Sequence, residues 1–126
     1  IDIHKMQFTS GTVFSSSSDF SNTMRWIGIV SGQIPNLSLA ASTGVHEPEA
    51  VIKALLAGAS AVELCSVLYQ HGNGIIMQML TILEEWMQSQ GFKTIGEFKG
   101  LLNFKNVPDQ SYYERVQFMK YFSNRD

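Results

Sequence analysis

Leu37-Ser38-Leu39-Ala40-Ala41-Ser42-Thr43-Gly44-Val45 is the stretch on which the reading of the fold turns. Its first five residues are mostly small and apolar, and a Ser-Thr-Gly turn closes them, the pattern of a short buried strand. Ser60-Ala61-Val62-Glu63-Leu64 repeats the arrangement, with Cys65-Ser66 at its end. A helix pattern lies between. Pro48 suits its first turn, where no backbone N–H is needed. Ile52, Leu55 and Leu56 fall on one face, and Glu49 and Lys53 pair at i, i+4 on the outer side. Gly58 stands where a left-handed cap ends a helix. Strand, helix, strand implies parallel neighbours joined by a right-handed crossover.

Upstream, Phe20, Met24 and Ile27 predict a helix from Phe20 to Val30, capped by Ser18 or Asp19 and stopped by Gly32. Residues 1–18 read as irregular, and Ser15-Ser16-Ser17-Ser18 as a solvated loop. Downstream, Cys65 to Gly74 reads as a loop. The strongest periodicity follows, from Ile75 to Gln90. Ile75, Met79, Ile82 and Trp86 make one apolar row, Ile76, Leu80, Leu83 and Met87 its neighbour, and Gly91 the stop. Two capping boxes come next. Thr94 with Glu97 opens a short helix ending near Gly100, and Ser111 with Glu114 opens a terminal helix bearing Tyr112, Val116, Met119, Phe118 and Phe122 on one side. Trp26 and Trp86 are expected in the core. The chain thus divides into an irregular start (1–18), βα units (19–90) and a helical extension (91–126).

Composition limits the function. The 126 residues are 44% hydrophobic, enough to bury a core. Nine Lys and Arg against 11 Asp and Glu give −2, which argues against a nucleic-acid partner. No apolar run approaches the roughly 20 residues of a membrane helix, so no membrane association is expected. Cys65, the one cysteine, has no partner for an internal disulfide and fits a reducing, cytoplasmic compartment. His4, His46 and His71 lack metal-ligand spacing. His46, near a helix start, is open to contact with a ligand, although its position better suits a surface or capping role.

Two loops have the position for chemistry, because ligands of parallel sheets gather at the carboxyl ends of strands. Ser42-Thr43-Gly44-Val45 offers amides, two hydroxyls and a helix start, a combination that can hold a phosphate. Cys65-Ser66 ends the next strand, about 5 Å away in the pairing direction. Side by side, the two loops read either as a phosphate cradle or as plain structural turns. Gly44 is equally open to a φ > 0 turn without a ligand. Cys65, after an apolar strand and with no adjacent His, reads as a small buried thiol. No paired acid and base, Ser-His-Asp set or Walker loop is present, so no catalytic residue is assigned.

Several tracts taken together carry a resemblance: Met24-Arg25-Trp26-Ile27, Leu39 through His46, Val51 through Ala59, and Cys65-Ser66-Val67-Leu68-Tyr69. Leu83-Glu84-Glu85-Trp86-Met87, Lys105-Asn106-Val107-Pro108-Asp109 and Glu114-Arg115-Val116-Gln117 extend it. In these the chain resembles the dihydroorotate dehydrogenase family, and within it the dihydroorotate dehydrogenase-like branch. The resemblance implies the carboxyl-terminal part of an FMN-binding (β/α)₈ TIM barrel, with Leu37–Ala41 and Ser60–Leu64 as its last two strands, plus a helical extension. The family oxidises dihydroorotate to orotate in pyrimidine biosynthesis, passing hydride to FMN.

Matched residue by residue, Thr43 and Gly44 fall on a glycine pair whose amides hold the FMN phosphate. Cys65 and Ser66 fall on a Gly-Thr pair on its other side. Thr43 and Cys65 each replace a glycine, leaving the backbone N–H groups in place while adding side chains. The family's catalytic base, substrate asparagines and flavin lysine belong to an amino-terminal barrel half, so the expectation is a cofactor anchor in the parent protein, while this chain alone has no activity and binds FMN weakly or not at all. The absence of an initiator Met fits a portion of a longer protein. A half-barrel leaves an apolar seam unpaired, and self-association through that seam is the expectation for the isolated chain. A non-catalytic, flavin-free interaction module is the alternative. A small flavodoxin-like regulator would need several more strands.

Overall fold

The computed structural model describes residues 1–114. A 3₁₀ turn (Ser17–Asp19) runs into α1 (Phe20–Gln33), followed by β1 (Ala40–Ala41), α2 (Pro48–Ala57) and β2 (Ala61–Val62). Then come α3 (Ser66–His71), α4 (Gly74–Gln90), a 3₁₀ turn (Ile95–Glu97) and α5 (Ser111–Glu114). The fold is mixed α/β, with a small sheet of two parallel strands pairing Ala40 with Ala61 and Ala41 with Val62.

The crossover helix forms as its sequence dictates. Pro48 opens α2, Ile52 and Leu55 are buried, and Gly58 closes it at φ +117, its N–H donating to the carbonyls of Ala54 and Leu55. One apolar cluster joins α1, α2 and the strands through Phe20, Ile27, Ala41, Ala54 and Val67. A second joins α2 to α4 through Ile52, Leu55, Leu83 and Phe98. Phe98 is fully buried and meets Trp86 edge to face at 4.9 Å. The chain after Phe98 is stitched across the end of α2 by backbone bonds, from Gly100 N to Leu55 O and from Leu102 N to Leu56 O.

Several expectations are corrected. Both strands are shorter than their patterns. Leu37 and Ser38 are exposed, so the segment before β1 is not buried. With only β2 beside it, β1 has one paired edge among the described residues; the Leu39 carbonyl still accepts from Ser60 and Ala61 N–H, at 2.7 and 3.3 Å, while Leu37 and Ser38 lie before the ladder. Helix α1 passes through Gly32 and ends at Gln33, with Ile34 as its cap, whose N–H still reaches Val30 O at 2.8 Å. Gly32 serves close approach instead of a cap, because a β-carbon there would lie 2.8 Å from the backbone nitrogen of Lys105. Neither Ser18 nor Asp19 caps α1 with its side chain. Ser16 and Asp19 form a capping box on the preceding 3₁₀ turn.

The expected loop after β2 contains α3, organised by fully buried Val67 and closed at Gly72. On α4, Met79 and Leu83 are buried, whereas Ile76 and Leu80 of the neighbouring row are exposed. Trp26 is 54% exposed and lies under the Arg25 guanidinium, not in the core. Thr94 and Glu97 form their capping box, but on one 3₁₀ turn. At α5 the side-chain acceptor is Asp109, which takes the Ser111 N–H at 2.9 Å. Tyr113 is the buried member of this helix, while Tyr112 is 66% exposed. Val116, Phe118, Met119 and Phe122 lie outside the described residues.

Candidate functional site

Parallel pairing brings the ends of β1 and β2 together. Thr43, Gly44, Cys65 and Ser66 all line one cavity of about 640 Å³ at those ends. Sequence spacing therefore placed the two loops correctly. What it missed is the third wall, formed by residues 12–16 of the irregular start.

Ser15 is the centre of that wall. Its Oγ accepts the Gly44 N–H at 3.3 Å, donates to Ser66 Oγ at 3.2 Å and lies 3.2 Å from His46 Nε2. The Ser15 N–H also donates to Ser66 Oγ, at 3.0 Å. One hydroxyl oxygen thus collects groups from both strand-end loops and from His46. Nothing in the serine run marked Ser15 for this, since its partners lie 29, 31 and 51 residues away. His46, half-buried, meets the site through this contact with Ser15.

Each loop residue is fixed by a separate cause. Thr43 has φ +81, a left-handed conformation unfavourable for a β-branched residue. It is held there by Thr23 of α1, whose Oγ1 donates to the carbonyls of Ser42 and Thr43, each at 2.9 Å. Gly44 has φ +82, and a β-carbon there would collide with the Phe20 backbone nitrogen. Its glycine character therefore comes from the close approach of α1, which is sufficient without a ligand. Ser66 is buried and opens α3. Cys65 is exposed, correcting the buried-thiol expectation, because it occupies the turn between β2 and α3 and not the apolar strand itself.

The electrostatics are mixed. Gly44 N–H and the hydroxyls of Ser15 and Ser66 are hydrogen-bond donors suited to an oxyanion. Asp19 and Glu63 also line the cavity, and no Lys or Arg is among its described lining residues. The dipole of α2 contributes little, because Val45, His46 and Glu47 separate Gly44 from the helix start, and Pro48 has no N–H. Donors of this kind can hold a phosphate oxygen, but here the Gly44 N–H and the Ser15 hydroxyl are spent within the chain, and the two carboxylates oppose an anion. Phe14, on the cavity wall, packs against Tyr69 with ring centroids 5.6 Å apart.

Among the described residues, no group of three His, Cys, Asp or Glu is placed to hold a metal ion. No described helix is long and apolar enough to cross a membrane. No protein-family model matches the chain, and no curated protein sequence matches it.

Proposed function

We propose that this chain is the cofactor-phosphate anchor of an FMN-dependent, dihydroorotate dehydrogenase-like oxidoreductase, the carboxyl-terminal part of its (β/α)₈ barrel. The observation that carries the reading is the meeting of Thr43-Gly44 and Cys65-Ser66 at one cavity beyond two parallel strands, where barrels and open α/β sheets alike bind phosphate. The motif resemblance supplies the flavin and the substrate class. In this reading Gly44, Ser66 and the Thr43 and Cys65 amides hold the FMN phosphate. FMN, once bound, supplies the hydride-accepting ring, and the other barrel half supplies the proton-abstracting base. The segment acts by positioning. Flavin fluorescence tests it on the full-length protein, since this chain alone should bind FMN weakly or not at all: FMN added there should be quenched or gain anisotropy, while riboflavin, which lacks the phosphate, should not. Equal responses to both, or none to either, overturn the anchor.

A specific surface favours a second role, association. A groove between α1 and β1 is lined by Trp26, Ile27, Val30, Leu39 and Ala40. Beside it the outer edge of β1 is unpaired among the described residues, and Leu37 is exposed. In the parent protein this groove receives the amino-terminal barrel half. In the isolated chain a second copy covers it. Sedimentation at several concentrations should give a dimer whose population grows with concentration; a monomer throughout removes the second copy as occupant.

A further inference from the structure

The cavity's polar groups are engaged by the chain itself. Gly44 N–H, Ser66 Oγ and His46 Nε2 converge on Ser15 Oγ, within 3.3, 3.2 and 3.2 Å. Gly44 N–H already donates to this oxygen, and the Ser66 hydroxyl, which accepts from Ser15, has a proton of its own to donate once Ser15 leaves, so the position can receive an oxygen of a bound phosphate. The segment bearing Ser15 is lightly held. Thr12, Val13, Phe14 and Ser16 are exposed, and Ser15 is only partly buried. Among the described residues its long-range polar and ring contacts are the Ser15 hydrogen bonds and the Phe14–Tyr69 pair.

We infer that residues 12–16 form an autoinhibitory strap, in which the Ser15 hydroxyl occupies an oxyanion position of the cradle and must leave before a phosphate enters. The inference rests on the phosphate-anchor reading above. Its physical content is competition. A ligand that binds only the strap-free state has its apparent affinity reduced by the fraction of molecules in that state. Removing the hydroxyl removes the strap's contacts with Gly44 N–H, His46 Nε2 and Ser66 Oγ and leaves one hydrogen bond, from Ser15 N–H to Ser66 Oγ, while freeing Gly44 N–H to donate. The opposite role, Ser15 as a fourth donor to the phosphate, predicts changes of opposite sign.

The test is a titration of the 126-residue chain and its Ser15→Ala variant with inorganic phosphate, followed by amide NMR at Gly44 and Ser66. The strap predicts binding about fivefold or more tighter in Ser15→Ala, the scale of one net hydrogen bond. A variant-independent reading comes from the unaltered chain. There, phosphate should accelerate hydrogen exchange of the Ser15 amide, which in the free protein donates to Ser66 Oγ. Equal affinities with an unchanged Ser15 amide overturn the strap while leaving the cradle standing. Weaker binding in the variant, with a slowed Ser15 amide, makes Ser15 a phosphate ligand and overturns it too. No phosphate response in either protein removes the cradle and the strap together.

Discussion

The ring of Tyr113 lies against Gly28 so closely that a β-carbon at position 28 would fall inside the ring's own volume. The same tyrosine donates its hydroxyl to the Leu102 carbonyl, and its backbone carbonyl accepts Arg25 Nε at 2.6 Å. This contact fastens α5 to the middle of α1. Gly28→Ala should therefore lower stability by about 1–3 kcal/mol through overpacking, although alanine is the better helix former. Urea unfolding of the variant measures it, and an unchanged or raised midpoint would exclude the contact.

Thr43 is held in a left-handed conformation that costs a β-branched residue about 1–2 kcal/mol. Glycine relieves this strain but adds about 0.5–1 kcal/mol of chain entropy to the unfolded state. Thr43→Gly should thus raise stability, by up to about 1 kcal/mol. A thermal scan showing a lower Tm would mean that the Thr43 side chain makes a contribution larger than its strain.

Thr23 is the side-chain link between α1 and that strained turn. Thr23→Val keeps the shape and removes the donor to Ser42 and Thr43. The cost should be about 0.5–1 kcal/mol, with faster amide exchange localised to the 42–44 turn. Exchange that rises uniformly along α1 instead would place the role of Thr23 in the helix.

Glu97 reports on acid. Backbone hydrogen bonds from Thr94 and Lys93 hold its carboxyl below the usual range. A carboxylate with a depressed folded-state pKa contributes stability above its unfolded value of about 4.3, and that contribution disappears as pH falls through the folded value. Glu97→Gln should leave a stability profile that is flatter between about pH 5 and pH 3. Matching slopes for the two proteins would dissociate Glu97 from acid sensitivity. At the other end of the scale, burial raises the Tyr113 hydroxyl above its ordinary value. Its stabilisation is present below about pH 10 and declines as pH rises through the higher folded value.

What was legible in the sequence is what local chemistry decides. Gly58 and Gly91 end their helices in left-handed caps, and Pro48 starts α2. The alternation of strand and helix was enough to bring Gly44 and Ser66 to one end of a parallel pair. What was not legible depends on distant neighbours. Leu37 and Ser38 have the composition of a strand, but extended pairing persists only where another strand satisfies it, and among the described residues β2 reaches no further back than the Leu39 carbonyl. Gly32 resembles a helix stop, and only the arrival of Phe104 and Lys105 makes it a packing residue. Trp26 follows the helical period of the core and still faces outward, because periodicity gives the face of a helix and not what covers it. Ser15 had no local signal at all, since its environment is assembled from three separate turns.

The two-residue length of β1 and β2 has a consequence for how the cavity is held together. So short a ladder offers little to offset the cost of closing the chain between Ala41 and Ala61, and α2, docked on α1 and α4, is what brings the two strands together. The cavity should therefore be lost when α2 detaches. Partial unfolding would abolish any site there while most helical signal persists.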